Sequence, residues 1–174
     1  MKVLLLAVFF ALNTSAEEGA LVDSLVAKVG REPVFLSDLQ RFTDVSKVLT
    51  CAGMLIGQKS LARDRQVLLD QYVMEELLYQ EARSRKFSTA GMIPEAVRAI
   101  HAKEECKSNW QKLGRDYSRL WRTESRAREG ESQLVRELEK RMLIEKFRKT
   151  EVISDAELWQ REAKAKFPVK IYQE

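Results

Sequence analysis

The residues able to support chemistry are few: two cysteines, one histidine, and the neighbouring carboxylates Glu75 and Glu76. A structural zinc site as a rule needs four cysteine or histidine ligands, and His101, Cys51 and Cys106 supply only three. A lone histidine among charged neighbours is typical of a solvated surface. We therefore predict a protein without a metal, without another cofactor and without a catalytic histidine.

Glu75 and Glu76 are the carboxylates that could suggest acid-base catalysis. Adjacent helical positions point about 100° apart, so the two acids do not face one reacting atom. We interpret them as salt-bridge partners on an exposed helix face. The chain also contains no glycine-rich phosphate loop and no Gly-x-Ser-x-Gly elbow. These observations predict that the protein is not an enzyme.

The first sixteen residues have the form of a secretory signal. Lys2 precedes an apolar run over 3–12, and the small residues Thr14 and Ala16 fit cleavage after Ala16. A helix of that run rises only about 15 Å, half of a bilayer core of about 30 Å. We expect residues 1–16 to be removed and residues 17–174 to form one soluble periplasmic domain, not inserted into the membrane. A buried N-terminal helix is the alternative.

Export would change the expected chemical state of the two cysteines. In an oxidising compartment, two thiols without a third most simply form one disulfide, here Cys51 to Cys106. In a cytosol they would be small core residues. We predict the disulfide.

Composition favours helices and argues against nucleic acid as a partner. Hydrophobic residues make up 45% of the chain and charged residues 32%, while only 7 Gly and 3 Pro are present, too few for the turns of an all-β sandwich. The net charge of +4 is small for a dedicated nucleic-acid binder. We predict a mainly α fold, an orthogonal bundle of about six helices with a small N-terminal β-hairpin.

The elements follow from hydrophobic spacing and from capping residues. Residues 25–36 suit a hairpin, after which Ser37 with Gln40 forms a capping box that opens the first helix. Residues 61–86 carry the wide apolar stripe of a long helix, and Pro94 suits the first turn of a third helix reaching about 104. Ser108 can cap a fourth.

The second half of the chain holds two more helices. Residues 122–132 carry no strong apolar side chain, which indicates a polar linker or a solvated helix extension, and the fifth helix carries its apolar face over 134–147. The box from Ser154 to Glu157 opens a helix to about 164, and Pro168 ends it. Residues 169–172 alternate and suit a short strand, for which the N-terminal hairpin is a candidate partner.

This order of elements resembles the N-terminal chaperone domain of the SurA-type periplasmic chaperones and related parvulin-type foldases. The closest points are the Ser37-Asp38 turn, Glu75-Glu76-Leu77-Leu78 and Leu143-Ile144-Glu145, within a likeness that covers roughly residues 22–165. The resemblance implies a helical cradle for unfolded clients, chiefly outer-membrane proteins. No catalytic parvulin residue has a counterpart here, so we expect binding without prolyl-isomerase activity. The two cysteines and the polar stretch over 122–132 depart from the family.

Five apolar side chains are candidates for client binding. Trp110, Tyr117 and Trp121 are spaced 7 and 4 apart and share a helical face, while Met142 and Phe147 suit the same cradle. Core packing is the alternative for each of the five.

The expected partners are unfolded or extended proteins, with homodimer formation left open. The alternative is a structural or adaptor protein of the envelope that binds one folded partner.

Overall fold

The computed structural model describes residues 23–54, 64–119, 124–151 and 155–172. The expected signal segment over 1–16 and Trp121 lie outside them. The described residues form a mainly α fold, as predicted, with six helices and three strands. In chain order these are β1 Leu25–Val29, β2 Glu32–Phe35, α1 Leu36–Cys51, α2 Arg65–Ser84, α3 Met92–His101, α4 Glu104–Arg119, α5 Glu124–Thr150, α6 Ala156–Lys166 and β3 Val169–Ile171.

The strands form one antiparallel sheet in the order β2-β1-β3. The expected hairpin is confirmed, and so is its pairing with the late strand, since Lys28 lies opposite both Pro33 and Lys170. Gly30 takes the positive φ of 59° that the tight turn needs. The turn is held to α2, because Gln80 Nε2 donates to the carbonyl oxygen of Val29 at 2.9 Å.

The first helix begins differently from the expected capping box. Leu36 is its first residue, and the carboxylate of Asp38 accepts from the Phe35 amide at 2.8 Å. Ser37 instead donates its amide to Asp23 Oδ1 at 3.1 Å. An ionised carboxylate accepts a stronger, charge-assisted hydrogen bond from a backbone amide than the neutral side chain of Gln40 would. This explains why Asp38, and not Gln40, is the residue that bonds back to the amide at the start of the helix.

Other helix limits are partly as expected. Asp64 and Asp155 cap α2 and α6 by accepting from the amides three residues on, and Pro94 lies in the first turn of α3. The expected cap of α6, Ser154, lies outside the described residues, and Asp155 is the N-cap. The prediction that Ser108 opens the fourth helix is wrong, because α4 already begins at Glu104. Acids in the first turn stabilise a helix start through the helix dipole, and Glu104 and Glu105 supply them. Of the two interpretations of 122–132, the helix extension is correct from residue 124.

Helix α1 contributes to two hydrophobic cores. Its first half packs with the sheet, α2 and α6 in the first core, and its second half packs with α3, α4 and α5 in the second core. A smaller cluster joins the last turns of α2 and α5. The buried members of the first core are Val26, Ala27, Val29, Val34, Leu39, Phe42, Leu69, Tyr72, Val73, Leu77 and Ala163. Those of the second are Val45, Val48, Leu49, Ala96, Ile100, Cys106, Tyr117, Leu134, Leu138 and Met142.

Candidate functional site

Charged side chains meet between α2 and α5, inside the molecule. Glu137, Lys140 and Arg141 lie on one face of α5 because positions three and four apart share a helical face. On α2 the same spacing places Tyr72, Glu75 and Glu76 opposite them. All six side chains are buried. We name these six residues the buried ionic layer.

The interpretation of Glu75 and Glu76 as residues of an exposed face is wrong. Each is only 5% exposed. They do form salt bridges, with Lys140 Nζ at 2.6 Å from Glu76 Oε2 and Arg141 Nη1 at 2.8 Å from Glu75 Oε2. Burial is tolerated because each carboxylate meets a cation from α5.

Lys140 is held by three groups. Its ammonium donates to Glu76 and, at 2.9 Å, to the Tyr72 hydroxyl, and it lies 4.2 Å from the centre of the Tyr72 ring. Burial in turn raises the pKa of the Tyr72 phenol far above its ordinary value, despite the attraction of Lys140. Tyr72 therefore remains a neutral acceptor for Lys140.

Arg141 connects three helices. Its guanidinium donates to Ser46 Oγ of α1 at 2.6 Å, pairs with Glu75 of α2, and lies 4.4 Å from the centre of the Phe42 ring. The contact between Arg141 Nη1 and Glu75 Oε2 is a buried ion pair. Arg148, which is partly exposed, bonds the other Glu75 oxygen at 2.6 Å.

Glu137 is the least compensated member of the layer. Its Oε1 atom accepts no hydrogen bond from the described residues. Burial raises the pKa of this carboxyl, although Lys140 and Arg141 partly offset the effect. Ionised Glu137 therefore opposes folding near neutral pH.

We expect Glu137→Gln to stabilise the protein relative to wild type more at pH 7 than at pH 4. A folded-state pKa raised above the unfolded value contributes stability at low pH that is lost as the pH rises through the folded pKa. Urea denaturation of both proteins at the two pH values measures the difference. A relative stability that does not change between pH 4 and pH 7 contradicts the prediction.

Glu81→Gln is the matched control, with the opposite sign. Burial would raise the pKa of Glu81, but the hydrogen bonds from Lys166 and Arg85 lower it overall. Its stabilising contribution is present above the unfolded pKa and is lost on acidification. The Gln variant should therefore be less stable than wild type at pH 7, and the deficit should shrink towards acid pH.

The predicted apolar residues are not brought together on one open face. Met142 and Phe147 are 2% and 1% exposed and lie in the cores, so they do not line an open cradle. Tyr117 is also buried, and its hydroxyl donates to Asp44 Oδ2 at 3.3 Å. For these three residues the alternative of core packing is correct, because each completes a contact between helices. Trp110 is half-buried against the second core.

Trp110 belongs to a group of half-buried apolar residues around the second core. We name this group the apolar rim; its members are Met54, Met92, Ile93, Val97, Trp110 and Leu113. Two methionines and a tryptophan are side chains suited to contact with apolar groups of varied shape. Sequence reasoning found only Trp110 of this set, although the strong amphipathic pattern of α3 could have indicated Met92, Ile93 and Val97.

The expected disulfide lies beside the apolar rim. Cys51 and Cys106 are bonded, with their Cα atoms 5.7 Å apart, and neither cysteine is free. The bond joins the last residue of α1 to the first turn of α4. Lys103 Nζ donates to the Cys51 carbonyl oxygen at 2.9 Å and fixes the connection between α3 and α4 to the same point.

His101 is exposed at the end of α3. Within the four described ranges, no group of three or more His, Cys, Asp or Glu could hold a metal ion. None of the described helices is long and apolar enough to cross a membrane.

Comparison with known proteins identifies no relative: no family model, no curated protein and no solved structure matches the chain.

Proposed function

We propose that the protein binds unfolded or extended segments of envelope proteins in the periplasm and releases them without a chemical reaction. The observation that carries the proposal is the apolar rim, whose six members are packed on the second core yet remain partly accessible. Such residues offer apolar contact without requiring the client to have a fixed shape. The resemblance of the sequence to the SurA-type chaperones is the second ground for the proposal.

The buried ionic layer has a structural part in this proposal. Its acids meet cations of α5, and it lies between helices rather than at the surface. Buried pairs of this kind fix which helix faces meet. The layer would hold α5 and α2 in place while the rim contacts the client.

We expect Trp110→Ala to weaken client binding roughly tenfold, because the client loses contact with a large aromatic face. The measurement is suppression of light scattering by a denatured outer-membrane protein, together with its affinity at low and high salt. Salt should have a modest effect, because apolar burial is not screened.

Trp159→Ala is the matched control. Trp159 is also half-buried, but it lies on α6 against the first core. Binding should stay at the wild-type level in this variant, and circular dichroism of both variants checks folding. Equal losses in the two variants would remove the rim from the proposal. Failure of the wild-type protein to bind any of several unfolded clients would overturn the proposed function and favour an adaptor with one folded partner.

A further inference from the structure

The two edges of the sheet differ in what they offer to another strand. Val29 and Glu32 flank the two-residue turn and form a hydrogen-bonded pair, so the backbone nitrogen of the next residue, Pro33, faces outward. Proline has no N–H to donate. The β2 edge therefore lacks a donor at its centre.

The β3 edge retains its donors and acceptors. Gly30 donates to the Pro168 carbonyl oxygen at 2.8 Å, and Tyr172 donates to that of Val26 at 3.0 Å. These bonds fix which positions of β3 face β1, and by alternation the N–H and C=O of Val169 and Ile171 face away from it. No described residue bonds to those four groups.

Side chains at this edge alternate between apolar and basic. Val169 and Ile171 lie on the core-facing side with their partners Val29 and Ala27, and Ile171 remains 40% exposed. Lys170 lies on the outer face directly opposite Lys28. Like charges in that arrangement repel each other, and neither lysine forms an ion pair with a described residue.

Further apolar surface lies at the end of the sheet where β1 begins. Leu25 and Leu36 are each 41% exposed there. The Leu36 amide donates to the Ser24 carbonyl oxygen at 2.9 Å, which holds the start of α1 to the start of β1.

We propose that the β3 edge binds an extended client segment as a fourth strand. The segment has the pattern apolar-acidic-apolar: its apolar residues pair with Val169 and Ile171, and its acidic residue lies opposite Lys170. Four backbone groups would supply hydrogen bonds, and the carboxylate would relieve the repulsion between Lys170 and Lys28. This inference rests on the proposed function and names the class of segment bound.

The probe is a fluorescent, end-capped peptide with the sequence Thr-Thr-Val-Glu-Val-Thr-Thr. We expect Ile171→Pro to weaken its binding at least tenfold, since proline removes an outward N–H without touching the bonds to β1. Ile171→Val, which keeps the N–H, is the matched control and should bind like wild type. Peptide N-methylated at both valines should not bind wild-type protein, and this test needs no variant.

Charge provides a separate arm of the experiment. Lys170→Glu should reverse the preference, so that the Thr-Thr-Val-Lys-Val-Thr-Thr peptide binds better than the glutamate peptide. The proposal would be overturned if Ile171→Pro bound the glutamate peptide as tightly as wild-type protein does. It would also be overturned if wild-type protein bound the N-methylated peptide as tightly as the unmethylated one. If Ile171→Pro binds the peptide like wild type and also suppresses aggregation, the edge is not a client site, while the proposed function, which rests on the apolar rim, stands. If wild-type protein suppresses no aggregation, the proposed function fails whatever the peptide does.

Discussion

Replacing Arg141 with Met is expected to lower the free energy of unfolding by about 3 to 5 kcal/mol. The side chain is 1% exposed, and its loss leaves Glu75 buried beside the partly exposed Arg148. The Ser46 hydroxyl loses its bond to the guanidinium as well. Urea denaturation measures the change. The urea concentration at the midpoint of unfolding should fall, while the m-value, which is the slope of the unfolding free energy against urea concentration, should stay constant.

Two further variants make the test specific. Arg148→Met removes a cation that is about one third exposed and should cost about 1 kcal/mol or less. Arg141→Met combined with Glu75→Leu should recover part of the loss, because Glu75 is then no longer a buried charge that has lost the partner on α5. An Arg141→Met protein within 1 kcal/mol of wild type would contradict the prediction.

Loss of the disulfide is expected to cost up to about 4 kcal/mol, the value that chain entropy assigns to a loop of this length. The bond closes a separation of 55 residues and ties α1 to α4 at the second core. For a chain of this size, that corresponds to a fall in Tm of roughly 8 to 16 °C in the double variant Cys51→Ala, Cys106→Ala.

The thiol state provides the check on that experiment. Free-thiol counting on unfolded, unreduced protein should find none, and reductant should lower the Tm of wild type but not of the double variant. Two reactive thiols in the mature protein, or equal Tm values for the two proteins, would contradict the prediction.

The architecture could be predicted from the sequence where local signals were strong. The hairpin turn at Gly30, the wide stripe of α2 and the stop at Pro168 each have a local physical cause. Helix limits were missed where competing residues lie close together, as when Asp38 rather than Ser37 makes the bond at the start of α1. The sequence does not decide between helix and linker for the part of α5 before residue 134, because a polar segment has no apolar period that separates the two.

The buried ionic layer could not be identified from residue type, because charged side chains are rarely buried. The one available signal was position: Arg141 continues the spacing of Leu134 and Leu138 on one face of α5. Its burial depends on Glu75 and Ser46, which belong to other helices. The local sequence around Arg141 does not indicate these long-range partners. For the same reason the sequence alone favours Met142 and Phe147 as binding candidates, whereas contacts with other helices bury both side chains.

The sheet also constrains the order of folding. Its hairpin forms from neighbouring residues and needs little loop closure, whereas β3 pairs with β1 across almost the whole described chain. Contacts of such long sequence separation form slowly. During that interval the strand that becomes central has one side unpaired, so a newly made chain is open to strand pairing with its neighbours. The helices that separate β1 from β3 in the sequence therefore determine how long this period of aggregation risk lasts.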